Sequence, residues 1–120
     1  MNKKIGVLLP FKDNFTHSKA GSASIWIKDF NRKSSYKKNI YVCGNTNNLK
    51  DLIEKKNYLN IKFSNSAFKS KNKQYIDGFI KLNLKHKFKL IEVHNRPSYV
   101  HRLIEKKINS KIVLIFHNNP

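Results

Sequence analysis

The sequence predicts an α/β fold, a Rossmann-like, doubly wound parallel sheet of about five strands with helices on both faces. Two observations favour this fold. Short apolar runs of strand length recur along the 120-residue chain, and segments with helical periodicity lie between them. The clearest of these runs are continuously apolar, which is typical of strands buried on both sides of a parallel sheet. Strands that alternate with helices in sequence are joined by crossovers, and the crossover helices then cover the sheet.

The strands are predicted from five runs, at residues 4–10, 39–44, 60–64, 89–94 and 111–117. The third run is the weakest and the last is the most apolar. The first run superficially resembles a signal peptide. It is short, Pro10 interrupts it and no small-residue cleavage site follows, so we interpret it as the first strand.

Four segments between the strands carry helical patterns. The first has apolar residues at positions 23, 26, 27 and 30, with Ser22 as a cap. A shorter stripe at positions 49, 52 and 53 predicts a short second helix, and positions 76, 79, 80 and 84 predict a third. Pro97 suits the first turn of the last helix, with Asn95 near its cap and a stripe at positions 100, 103, 104 and 108.

The charge balance limits the choice of partner. With 25 Lys and Arg against 7 Asp and Glu, the formal net charge is +18, a field that attracts polyanions. Arginine, the usual residue for reading nucleic acid, occurs only at positions 32, 96 and 102, and the basic residues are scattered. Nucleic acid is therefore not the expected partner, although a basic module that binds nucleic acid or a membrane surface remains the alternative function.

The single cysteine, Cys43, excludes an internal disulfide and any zinc site built from several cysteines. A reducing, cytoplasmic setting fits this composition. No apolar run is long enough to span a bilayer. We expect a cytoplasmic protein, with peripheral attachment to the inner face of the plasma membrane as an option.

Three polar loops are predicted to meet at the carboxyl ends of the strands, where ligands bind in open parallel sheets. They begin at Phe11 after the first strand, at His94 in the fourth and at His117 in the fifth. The glycine-rich dinucleotide and phosphate-loop patterns are missing, and the histidines lack a metal-ligand spacing. We therefore expect neither a cofactor nor a metal.

The segments KIGVLLP…AGSASIWIKDF, IEVHNRPSYVHRL and IVLIFHNNP together resemble the N-terminal half of a family 4 glycosyltransferase, in its bacterial surface-polysaccharide or spore-coat branch. The resemblance covers essentially the whole chain. It implies the GT-B fold, in which two Rossmann-like domains face a cleft. It also implies retaining, metal-independent transfer of a sugar from a nucleotide-diphosphate sugar to a saccharide or lipid-linked acceptor, in cell-surface polysaccharide synthesis.

The same resemblance implies that residues 1–120 are a single, incomplete acceptor-side domain. The donor-binding C-terminal domain would be absent or carried by a separate chain, and we expect no transfer by these residues alone. Two alternatives stay open besides the enzyme: a nucleic-acid-binding module, and a small doubly wound binding domain that is complete as it stands.

The resemblance also implies roles for individual residues. His117 matches a position that faces the reacting sugar and is the candidate catalytic residue. Gly21 and Ser22 would approach the donor phosphates, since a small residue permits close backbone contact and a helix N-terminus favours anions. Many relatives have two glycines where this chain has Ala20 and Gly21. The candidate acceptor-binding residues are His94, Asn95, Arg96 and Asn118.

Purely structural roles remain open for these residues. His117 could cap backbone groups at a strand end, and His94 could orient the turn before Pro97. Arg96 could be solvated or pair with Glu92. Gly21 could simply permit a tight turn before a helix.

A basic stretch precedes the third predicted helix. Phe68, Lys69, Lys71 and Lys73 are either a solvated loop or a patch for an anionic membrane surface, with lysines for headgroups and an aromatic ring for the interface. The second interpretation suits an enzyme whose acceptor is linked to lipid.

Overall fold

The computed structural model describes residues 3–33, 37–63 and 68–117. Within these ranges, five strands form one open, all-parallel sheet, and three α-helices pack on it. The predicted α/β, Rossmann-like fold with helices on both faces is confirmed. The strands are β1 (Ile5–Leu8), β2 (Ile40–Gly44), β3 (Tyr58–Asn60), β4 (Leu90–His94) and β5 (Lys111–Ile115), in the spatial order β3-β2-β1-β4-β5. The helices are α1 (Ser22–Lys33), α2 (Lys71–His86) and α3 (Pro97–Glu105).

Alternation along the strands divides the core into two layers. On one face, α1 contributes Ala23 and Ile27, which pack with Val7 of β1 and Val42 of β2. On the other face, α2 and α3 cover a larger cluster whose fully buried members include Tyr75, Phe79, Phe88, Ile91 and Leu103. Successive strand residues point to opposite faces, so a continuously apolar strand supplies both layers.

The connection between β2 and β3 differs from its prediction. Instead of a short α-helix, residues Leu49–Asp51 form a single 3-10 turn. Thr16 then bridges to Leu52, and the Ile53 N–H donates to the Phe15 carbonyl oxygen at 3.1 Å. A stripe of three apolar residues is too short to sustain a helix against these bonds to the first loop.

The third strand also lies elsewhere than predicted, at Tyr58–Asn60 rather than at 60–64. Val42 pairs with Tyr58 and Gly44 with Asn60, so the register of β2 fixes where β3 begins and ends. The sequence run was weak because its apolar residues lie partly beyond the strand, where Ile61 is buried against α2.

Three of the four predicted helices are present, but their apolar stripes are too wide. Phe30, Leu84 and Ile104 were assigned to apolar stripes, yet they are 43%, 71% and 62% exposed. Pro97 opens α3 as predicted, but the residue at its cap is Arg96, which makes no side-chain capping bond. Among the described residues, no helix combines the length and the apolar character needed to cross a membrane.

Candidate functional site at the carboxyl edge of the sheet

Asn95 joins the carboxyl ends of β4 and β5. Its backbone N–H donates to the Ile115 carbonyl oxygen at 2.9 Å, and its side-chain oxygen accepts from the His117 N–H at 2.6 Å. The residue has a positive φ of 60°, a conformation that asparagine tolerates better than most residues. The side chain that was expected near the cap of α3 therefore fixes the backbone that carries His117.

His94 and His117 form a direct pair at this edge. Nδ1 of His94 lies 2.5 Å from Nε2 of His117, and the two ring planes differ by only 4°. In a face-to-face stack the two ring planes lie about 3.5 Å apart. Parallel rings whose nitrogen atoms are 2.5 Å apart cannot be separated by that much, so the rings meet edge to edge through one hydrogen bond. His94 is completely buried, whereas His117 is partly exposed.

Glu92 extends the pair into a chain of three side chains. It lies two residues before His94, on the same face of β4, and its Oε1 is 3.4 Å from His94 Nε2. A carboxylate only accepts, so this contact requires the His94 proton on Nε2. In the neutral form of His94, Nδ1 accepts from His117 Nε2–H, and the Nδ1 atom of His117 carries a lone pair.

Trp26 of α1 forms one wall of the site. Its ring centroid lies 5.5 Å from that of His94 and 5.3 Å from that of His117, and both pairs are tilted. On its other side it stacks on Phe30 at 5.0 Å. Helix α1, which covers the face of the sheet that carries Val7 and Val42, thus also encloses the histidine pair.

Asp13, in the loop after β1, organises the start of α1. Its Oδ1 accepts from the Gly21 N–H at 3.0 Å and from the Ser24 hydroxyl at 2.6 Å. A Cβ atom on Gly21 would lie 2.7 Å from the Asp13 carboxyl group, so only glycine permits this approach. The carboxylate also compensates the positive end of the helix dipole.

The protonation of His117 follows from these neighbours. Burial lowers the pKa of His117 below its ordinary value of 6.5, the nearby His94 lowers it further, and Asp13 opposes both. The ring is therefore mainly neutral at pH 7. This state is the one in which Nδ1 can accept a hydrogen bond.

Two buried tyrosines hold the beginning of the first loop. The Tyr75 hydroxyl donates to the Leu9 carbonyl oxygen at 2.6 Å. The Tyr99 hydroxyl accepts from the Phe11 N–H at 3.0 Å and donates to Asn72 Oδ1 at 2.8 Å. Burial raises the pKa of both phenols, so they remain protonated donors. These hydrogen bonds fix the direction in which the loop leaves β1.

The structure brings His94, Asn95 and His117 together, as the predicted convergence of loops required. Arg96 does not pair with Glu92. It is exposed, and its Nη1 donates to the Asn95 carbonyl oxygen at 3.0 Å. Asn118, predicted to bind the acceptor, lies outside the described residues.

Gly21 and Ser22 lie at the start of α1, as the predicted phosphate site required. The N–H of Gly21 is already engaged by Asp13, and Ser22 is exposed. A donor phosphate would have to use the other N–H groups of this turn or displace the carboxylate.

The predicted membrane patch surrounds the start of α2. Phe68 is fully exposed, and Lys71 and Lys73 are exposed in the first turn. Lys69 is less available, because its Nζ bonds Asp77 at 2.9 Å. Burial works against ionisation of Asp77, but the bonds from Lys69 and Arg102 outweigh it and lower its pKa.

Sequence reasoning did not assign a site role to three residues of this edge. Glu92 could have been found from its position two residues before His94, since the two side chains share a strand face. Asp13 lies in the polar loop after the first strand, where no sequence pattern indicates its partners. Trp26 lies on the apolar stripe of the first helix, a position that favours a core residue over a ligand site. Only the tertiary structure places its ring against both histidines.

Among residues 3–33, 37–63 and 68–117, no three His, Cys, Asp or Glu side chains are grouped so that they could hold a metal ion. The chain matches no protein-family model, and it has no significant match among curated proteins or solved structures.

Proposed function

We propose that this chain is the acceptor-side domain of a sugar transferase. The reaction would move a sugar from a nucleotide-diphosphate donor to a saccharide or lipid-linked acceptor in cell-surface polysaccharide synthesis. The proposal rests on the resemblance of the IEVHNRP and IVLIFHNNP segments to family 4 glycosyltransferases. It is supported by where His94, Asn95 and His117 of those segments lie, at the edge of a parallel sheet that commonly binds ligands.

The contact between His94 and His117 carries the proposal. The hydrogen-bonded chain from Glu92 fixes the tautomer of both rings, which leaves His117 Nδ1 as an acceptor. An acceptor of this kind suits a sugar hydroxyl, and the Trp26 ring beside it holds the His117 ring in place. His117 would therefore orient a hydroxyl group of the reacting sugar or of the acceptor.

In this proposal the leaving diphosphate is stabilised without a metal, by positive potential from helix N-termini and basic residues. Gly21 and Ser22 remain the proposed backbone contact. Donor binding would fall mainly to a second domain, on this or another chain, and residues 1–120 alone would not transfer sugar.

The test is an NMR titration of the chain with maltotriose, with UDP-glucose and with GDP-mannose. The imidazole resonances of His117 and His94 are followed. We expect at least one probe to shift both rings saturably, because a ligand on His117 Nδ1 also polarises the bond to His94. The variant H117Q should lose this response.

H101Q is the matched control, because His101 is exposed on α3, away from this edge. It should bind as the parent does. Equal loss in H101Q, or shifts confined to residues outside the carboxyl edge, would remove His117 from the binding site. Absence of binding by all probes, also after addition of the donor domain of a family 4 glycosyltransferase, would contradict the proposed function.

A second candidate function is attachment to an anionic membrane surface, and it is favoured by the exposed ring of Phe68 beside Lys71 and Lys73. Sedimentation with phosphatidylglycerol vesicles tests it. F68S should release the chain from vesicles, whereas F30S, which removes another exposed aromatic ring, should not. Equal release by both variants would assign binding to exposed aromatic rings in general, and binding that salt alone abolishes would assign it to the net positive charge.

A further inference from the structure

A cavity of about 470 Å³ lies between α1 and the segment that joins β2 to β3. Its volume falls within the range of small-molecule sites in proteins. None of its lining residues is one of those described around the histidine pair, although Phe15 and His17 belong to the loop after β1. Lys38 lies in the 3-10 turn Lys37–Asn39 that leads into β2, and Lys56 lies two residues before β3, so the cavity extends toward the amino ends of these strands.

The cavity exists because the β2–β3 crossover has no helix. Right-handed crossovers from β1 to β2 and from β2 to β3 place both connections on the face covered by α1. A helix in the second connection would pack beside α1 over β2. Here the connection forms one 3-10 turn, and its residues Leu52 and Ile53 are only partly buried against the core of that face. The space above Ile40 and Val42 is left open.

The walls of the cavity are held in place by backbone bonds. On one side, the Ile53 N–H donates to the Phe15 carbonyl oxygen at 3.1 Å. On the other side, the Asn57 side-chain amide donates to the Lys38 carbonyl oxygen at 3.0 Å. The Asn57 carbonyl oxygen in turn accepts from the Val42 N–H at 2.9 Å. The cavity is therefore formed before any ligand binds, which lowers the entropic cost of binding.

The lining has an apolar floor and a cationic rim. The floor consists of Phe15, Ile40, Val42 and Ile53. The rim carries Lys28, Lys38 and Lys56 against the single carboxylate of Glu54. Among the residues that the structure describes, none of these three ammonium groups forms an ion pair. An occupant that is apolar at one end and anionic at the other would match both parts.

We propose that this cavity is a binding site for a small organic anion with an apolar body, such as an aromatic phosphate or carboxylate. The apolar body would lie on Val42 and Ile53, and the anionic group would contact Lys38 and Lys56 at the rim. The site is independent of the proposed sugar transfer, since its lining includes neither His94 nor His117, and neither Asp13 nor Trp26.

The proposal is tested with 1-naphthyl phosphate, which combines both features, and with inorganic phosphate and 1-naphthol, which have one feature each. Backbone amide shifts give both affinity and location. We expect saturable shifts at Ile40, Val42, Ile53 and Asn57, and a dissociation constant at least about tenfold lower for 1-naphthyl phosphate than for either simpler probe. Equal binding of 1-naphthol would refute the anionic contact, and equal binding of phosphate would refute the apolar one.

The double variant K38Q/K56Q should weaken 1-naphthyl phosphate binding by about tenfold. Both side chains are exposed, so the variant should fold, which its amide spectrum verifies. K71Q/K73Q is the matched control, because it removes the same charge from two exposed lysines of α2. Equal weakening in the control would assign binding to the net charge of the chain. No binding of 1-naphthyl phosphate, or shifts at His94 and His117 instead of the cavity, would also overturn the proposal.

Discussion

Replacing Gly21 with alanine should destabilise the fold through one carboxylate. The φ angle of Gly21 is not positive, so alanine suits the backbone, and in an open position the change would stabilise slightly. Here the new methyl group would lie 2.7 Å from the Asp13 carboxyl and push it away from the Gly21 N–H and the Ser24 hydroxyl. Two hydrogen bonds to a charged group are worth about 1.5–3 kcal/mol each, and solvent access to the half-buried carboxylate reduces the expected loss to about 2 kcal/mol in total.

Urea unfolding followed by the fluorescence of Trp26, the single tryptophan, measures this loss. The decisive comparison is a double-mutant cycle with D13A, which removes the carboxyl group and leaves room for the methyl group. In the D13A background, G21A should cost about 0 kcal/mol or stabilise slightly. S24A, which breaks one of the two bonds, should cost about half as much as G21A in the parent. The same cost for G21A in both backgrounds would refute the role assigned to Asp13.

Three further predictions concern other contacts. Because the folded pKa of His117 lies below its ordinary 6.5, the unfolded chain binds more protons there, so stability contributed at neutral pH is lost as the pH falls below 6.5. The urea midpoint of H117Q should fall less between pH 7 and 5 than that of the parent, and an equal fall would contradict the lowered pKa of His117. Y75F leaves the Leu9 carbonyl oxygen without its buried partner and should cost about 1–3 kcal/mol in chemical unfolding, whereas no change would mean that water replaces the hydroxyl. Gly78→Ala in α2, normally stabilising by about 1 kcal/mol, should instead lower the melting temperature, because its methyl group would collide with the Lys62 carbonyl oxygen. A higher melting temperature would show that this backbone moves aside.

The fold could be predicted because its signals are local. The runs ending at Leu8, Gly44, His94 and Ile115 are each short and mostly apolar, and the helical stripes between most of them have the right period. The β2–β3 connection could not be predicted in this way. Its apolar residues match a helical stripe, yet Leu52 and Ile53 bond to the first loop, which lies about 35 positions earlier in the chain.

The site could be predicted in part. Topology alone placed His94, Asn95 and His117 near one another, because the carboxyl ends of neighbouring parallel strands share an edge. Their chemistry could not be inferred from spacing. The Glu92 contact that sets the tautomers, the Trp26 wall and the Asp13 carboxylate each depend on the relative placement of different strands, loops or rotamers.

By itself, the sequence determined that the chain forms a parallel α/β sheet, since hydrophobic periodicity and element order act over short stretches and leave few topologies. The tertiary structure alone decided which polar groups meet. It joined His94 to His117, which lie 23 positions apart, and it left the cavity beside α1 where a crossover helix would have packed. Both features arise because side-chain contacts depend on positions in space to within a fraction of an ångström, whereas a sequence pattern specifies only which face of an element a residue occupies.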